Sequence, residues 1–286
     1  MPGFCEQLKD KFDTLTKSER RVATYLFSNY YKAAFMPAAA LGKEAGVSET
    51  TVIRLATALG YSGFSQMQSE IRELVSRERT IHKLQQGLSR LGPEEDLLAE
   101  SFTKDIDNIQ ATYRRLDREQ FRLVLEAITA AGKVFVMGLR ASASLAHYLS
   151  YALGLVLGNT HTVRMLDGCH PEELSGLGPG DVFFAIAFPR YSLDTLKAFK
   201  WAKKAGATTV ALTDSPLSPF ARDSDYQLYA VTESPFFLDS FLPALAVVQA
   251  IVAHVWFSRK QGTFDRLKRL EAIYADLGIF YSEKQS

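Results

Sequence analysis

Two groups of side chains in this 286-residue sequence have the types and spacing to hold anionic partners. The first is Ser48-Glu-Thr50-Thr51-Val-Ile-Arg54, where hydroxyls and a guanidinium open a helix with a serine cap. A short capped helix presenting such groups is what a DNA major groove admits. Ser48, Thr50, Thr51 and Arg54 are the expected groove readers, and Ser18, Lys43 and Ser65, at neighbouring helix N-termini or flanks, are the expected phosphate contacts. An αα-hairpin that only packs has the same spacing. The second group is Gly138-Leu-Arg140-Ala-Ser142-Ala-Ser144, Phe188-Pro-Arg190-Tyr191-Ser192 and Thr213-Asp-Ser-Pro216, each following an apolar run. Arg140, Ser142, Ser144, Arg190, Tyr191 and Ser192 supply the donors that a phosphate, a carboxylate or a sugar hydroxyl needs. Ser142 and Ser192 as plain helix N-caps is the competing reading.

Other chemistries leave weaker traces. The loop at Gly138 lacks the second and third glycines of a dinucleotide fingerprint. His147, His161, His170, His254 and Glu233 fall in no recognisable acid/base pairing, so no catalytic residue, metal site or cofactor is expected.

The elements that must carry these residues are legible from periodicity. Pro37 can open a first helix, with Leu41 and Ala45 on one face and Gly46 at the turn. In the second helix Val52, Leu55, Ala56 and Leu59 form one apolar stripe, and Gly60 stops it. Thr16-x-x-Glu19 and Ser65-x-x-Gln68 read as capping boxes that open flanking helices. Helical patterns follow over 94–116 and 117–131. From Lys133 strands and helices alternate: strands at 134–137, 162–165, 181–188, 208–213 and 226–231, and helices at 142–157, 192–205, 238–258 and 263–277. Continuous apolar strands alternating with helices argue a parallel sheet covered on both faces, with ligands at the strands' carboxyl ends. The fold expected is an all-α helix-turn-helix domain over 1–77, a linker over 78–93, and an α/β effector-binding and oligomerisation domain over 94–286.

Composition adds bounds. A hydrophobic content of 47% suffices for real cores, and a net charge of +1 gives no global sign of a nucleic-acid or membrane partner. Residues 1–80 hold 11 Lys plus Arg against 9 Asp plus Glu, so any basic face is local. Two cysteines and no basic-then-apolar leader point to the cytoplasm. The apolar run 241–257 contains Gln249 and His254 and falls short of the roughly 20 residues of a membrane span, so a buried helix or subunit contact is expected.

Leu15-Thr-Lys-Ser-Glu-Arg-Arg-Val-Ala, Ala45-Gly-Val-Ser-Glu-Thr-Thr-Val-Ile-Arg54 and Leu59-Gly-Tyr-Ser-Gly-Phe64 resemble the N-terminal domain of RpiR-type bacterial transcription regulators. Residues 133–258 resemble the sugar isomerase (SIS) domain, through Gly138-Leu-Arg-Ala-Ser142-Ala-Ser and Ser215-Pro-Leu-Ser-Pro219. The resemblance implies a homodimeric or homotetrameric repressor or activator that binds double-stranded operator DNA and senses a sugar phosphate or related anionic metabolite, with no membrane partner. The same SIS domain also occurs in aldose-ketose isomerases, which is the alternative. One departure stands out: the family's second loop usually reads S-x-S-G-x-T, and here Ala187, Phe188, Pro189, Arg190, Tyr191 and Ser192 occupy it. An effector other than a simple sugar phosphate, a carboxylate or a different anion, is therefore open.

Overall fold

The computed structural model describes residues 4–75, 96–164, 171–234 and 236–281. The chain divides into two compact units, Met1–Gly92 and Pro93–Ser286. The expected linker, 78–93, lies outside the described residues, as do Met165 and His170.

The first unit is all helical: α1 Phe4–Lys11, α2 Lys17–Ala33, α3 Ala38–Ala45, α4 Glu49–Leu59 and α5 over 64–75. The capping box at α2 is complete, since Thr16 Oγ1 accepts from Glu19 N and Glu19 Oε2 accepts from Thr16 N at 2.9 Å. The stripe Val52, Leu55, Ala56 and Leu59 is buried with Leu41, Ala45, Val22, Ala23 and Leu26 in one core. Each fully buried leucine or valine there contributes about 1.5–3 kcal/mol. The α1 helix was not legible in the sequence, and its Phe4 and Leu8 complete this core. The expected capping box at Ser65 does not form. Gln68 instead donates to the Met36 carbonyl at 2.6 Å and accepts from Arg72, whose Nε donates to the Ala34 carbonyl, so both side chains tie α5 to the α2–α3 loop. The reach-back comes from Gln66, which accepts from Ser62 N at 2.6 Å.

The second unit is α/β. Its elements are α6 Leu97–Arg115, α7 Arg118–Ala130, β1 Val134–Met137, α8 Ser142–Leu157, β2 Thr160–Thr162, β3 Val182–Ile186, α9 Leu193–Lys204, β4 Thr208–Thr213, α10 Pro219–Asp223, β5 Tyr226–Tyr229, α11 Leu242–Ser258 and α12 Lys260–Asp276. The strands form one parallel sheet in the order β2-β1-β3-β4-β5. Val134, Val136, Val182, Phe184, Ile186, Val210 and Leu212 pack on one face with α7, α8 and α11. Phe135, Met137, Phe183, Ala185 and Ala211 pack on the other with Phe199 and Phe220. Burial on both faces is why these strands read as unbroken apolar runs. The second strand is a correction: the sequence places it over 162–165, but Thr160, His161 and Thr162 pair with Val134, Phe135 and Val136. No single helix among the described residues is long and apolar enough to cross a membrane. The run 241–257 forms α11, which buries Ala244, Val247, Val248, Ile251 and Val255.

Candidate functional site

In the first unit the helix-turn-helix is held by its turn. Gly46 adopts φ 67°, the left-handed region that glycine tolerates, and Ser48 Oγ caps α4 by accepting from Thr51 N at 3.3 Å. A second link sits at the other end of α4, where Lys11 Nζ donates to the carbonyls of Leu59 and Ala58 at 2.9 and 3.3 Å. A cation on those last carbonyls also suits the helix dipole.

The seven expected DNA-contacting residues divide by environment. Ser18, Lys43, Ser48, Thr50, Arg54 and Ser65 are exposed, and Thr51 is half-buried. Thr51 Oγ1 and Ser48 Oγ lie 3.0 Å apart, so these two hydroxyls serve the cap first. Thr50 and Arg54, one turn apart, stay on the free side of α4 together with Ile53, 43% exposed, and Thr57. Ile53 lies off the apolar stripe, as its spacing implies, and a thymine methyl is a fit partner for such a side chain. Arg54, 69% exposed at its side chain, is oriented by buried Glu19, whose Oε1 lies 3.8 Å from its Nε. The Thr16 side chain and main chain, which donate to Glu19, hold its carboxyl below the usual carboxylate range against the cost of burial, and Arg54 adds to this.

In the second unit the loops after β1, β3 and β4 lie at the strands' carboxyl ends. The order β2-β1-β3 makes the β1/β3 junction the topological switch point, where open α/β sheets bind ligands. Gly138 is required there, since a Cβ would stand 2.7 Å from the Ser142 carbonyl oxygen and 3.1 Å from that of Ile186. Arg140 and Arg190 share an unusual feature: both adopt the left-handed backbone, with φ 57° and 66°, and both are exposed. For non-glycine residues this conformation costs on the order of 1–3 kcal/mol and concentrates at ligand sites.

The serines behave differently from one another. Ser192 caps α9, accepting from Thr195 N at 3.4 Å. Ser142 is not a cap: it is the first residue of α8, 7% exposed, and α8 has Ala141 as N-cap with no side-chain hydrogen bond. Ser144 Oγ donates to the Ala141 carbonyl at 2.8 Å. Tyr191 Oη donates to Asp214 Oδ1 at 2.6 Å, and Thr213 Oγ1 lies 3.1 Å from that oxygen and 2.9 Å from Ser218 Oγ. This latch joins the β3 and β4 loops. Beside the first loop is a cavity of about 540 Å³ lined by Gly138, Leu139, Arg140, Ala143, His147, Thr162, Val163 and Arg164. Arg140 alone of the six expected effector residues lines it.

The comparisons with known proteins agree with this two-part anatomy. Residues 2–78 match the helix-turn-helix domain of the rpiR family, and residues 127–254 match the SIS domain. An HTH-type transcriptional regulator of Caldanaerobacter subterraneus subsp. tengcongensis is 27% identical over 237 residues, 80% of either chain. The sugar isomerase domain of an RpiR transcription factor from Sphaerobacter thermophilus is 29% identical, with a TM-score of 0.60, over 62% of this chain and 99% of its own. The Vibrio vulnificus NanR protein, solved in complex with ManNAc-6P, shares the fold at 22% identity and a TM-score of 0.66, over 96% of this chain and 99% of its own.

Proposed function

We propose that this chain, which belongs to the RpiR-type helix-turn-helix proteins with a C-terminal SIS domain, is a DNA-binding transcriptional regulator whose SIS domain senses a sugar phosphate or related anionic metabolite and alters operator binding. The observation that carries the reading is the free side of α4, where Thr50 and Arg54 stand exposed on a helix capped at both ends. Groove reading needs such a face, and a packing hairpin does not. The metabolite class draws support from the paired left-handed arginines at the switch point and from the sugar phosphate bound by NanR. Ser18, Lys43 and Ser65 hold phosphates, and Arg140, Arg190, Ser142, Ser144, Tyr191 and Ser192 frame the effector loops. A regulator of this kind works in the cytoplasm, as a homodimer or homotetramer, because paired recognition helices read half-sites about one DNA turn apart.

For the isomerase alternative, three of the candidate acid/base side chains among the described residues are engaged elsewhere. Glu233 is paired with Lys104, His254 Nδ1 lies 2.8 Å from the Ala250 carbonyl, and His161 stacks on Phe135. His147 lines the first-loop cavity, and the carboxylate that lines the adjoining cavity with it, Glu173, accepts the Arg164 main-chain N–H at 2.6 Å.

The test is binding to double-stranded DNA that the full chain enriches from a random library. Arg54→Ala is expected to cost about 1–3 kcal/mol, with relaxed specificity at one base if it reads a guanine, or uniformly across sequences with a shallower salt slope if it holds phosphate. Unchanged binding across a salt series contradicts the assignment.

A further inference from the structure

A second cavity, of about 700 Å³, opens along β2 and is walled by α8 and α12. It shares His147, Thr162, Val163 and Arg164 with the first-loop cavity and runs on to Arg266, so the two form one trough. Its charge is one-sided. The guanidiniums of Arg164 and Arg266 and the imidazoles of His147 and His161 stand against one carboxylate, Glu173, whose Oε2 already accepts the Arg164 main-chain N–H at 2.6 Å. Among the described residues neither arginine forms an ion pair.

The wall is also preset. Arg266 Nε donates to the Gly154 carbonyl at 3.0 Å, which fixes the guanidinium at the end of α8. The His161 ring stacks on Phe135, with centroids 5.3 Å apart. Two guanidiniums without an ion pair on the wall of one cavity leave charge-assisted donors open to an anionic group from outside.

We propose that this trough is an anion-binding subsite that takes a phosphate or carboxylate group of a small molecule between Arg164 and Arg266. It stands independently of the Arg190 loop, which contributes no residue to it.

The experiment titrates the full chain with inorganic pyrophosphate and follows the histidine imidazole resonances by NMR, with His147→Asn and His161→Asn supplying the assignments. A saturable shift of the His147 and His161 signals is expected. Arg164→Gln, at an exposed position, should raise the midpoint at least about tenfold, as loss of a charge-assisted pair does. Lys197→Gln, on the exposed side of α9, removes one charge elsewhere and should leave the midpoint unchanged. The proposal is overturned if neither signal moves at high pyrophosphate, if Arg164→Gln titrates like the parent, or if Arg190→Ala alone abolishes the shift.

Discussion

Arg190 is the residue at which the effector reading is most exposed to test. Its left-handed backbone suits glycine, so Arg190→Gly removes the side chain while keeping the loop's path. Relief of strain, on the order of 1–3 kcal/mol, works against the greater freedom glycine gives the unfolded chain, about 0.4–1 kcal/mol. Stability by denaturant unfolding is therefore expected to hold or to rise slightly, while sugar-phosphate affinity by calorimetry falls roughly tenfold or more. A variant that binds like the parent puts the anion elsewhere. Glu19 has a different signature. Its carboxyl is held below the usual range chiefly by the Thr16 hydrogen bonds, so its contribution to stability is full above the unfolded carboxylate's pKa and is lost as pH falls through the lower folded value. Glu19→Gln is expected to flatten the acid side of the stability profile of the N-terminal unit. An acid limb identical to the parent's would show that the capping box does not couple to protonation.

At the scale of elements, the pieces set by local chemistry were legible and those set by distant partners were not. Helix α4 carries its own cap in Ser48, its stop in Gly60 and its stripe in Val52, Leu55 and Leu59, and β4 spans the residues expected of it. The Ser65 box failed because α5 already starts at position 64, ahead of Ser65, and the Gln68 side chain is taken by Arg72 and by the Met36 carbonyl, which only folding brings near. The β2 strand moved to Thr160–Thr162 because the ladder with β1 fixes it, and its polar residues hid it. At the site, the loops followed from strand-helix alternation, but the left-handed arginines did not, since neither loop position holds glycine. The trough depends on α12 lying against α8, which no spacing reveals.

Helix α6 yields the element-scale prediction. Asn108 and Thr112 are buried, with Asn108 donating to the Glu233 carbonyl and Thr112 accepting from Val231 N. Leu98, Phe102, Ile106 and Tyr113 are exposed, 68%, 64%, 53% and 64%. An apolar stripe of that length on an exposed helix face is a candidate contact between copies of this chain. Phe102→Glu is expected to shift the sedimentation of the full chain toward monomer at micromolar concentration. A parent that already sediments as a monomer, or a variant with unchanged assembly, contradicts this use of α6.

For the whole molecule, metabolite control of operator binding requires that the two units be thermodynamically linked. A metabolite that changes operator affinity by some factor must itself be bound more or less tightly on operator DNA by the same factor, because coupling free energy is reciprocal. The direct measurement is fluorescence anisotropy of the selected DNA titrated with the full chain, alone and with each of a panel of hexose and pentose phosphates at saturation. A specific site is expected to bind with at least one sugar phosphate changing its affinity about 5- to 150-fold, the usual range for such coupling. Tight sequence-specific binding that no member of the panel alters, though one binds the protein, would contradict the account.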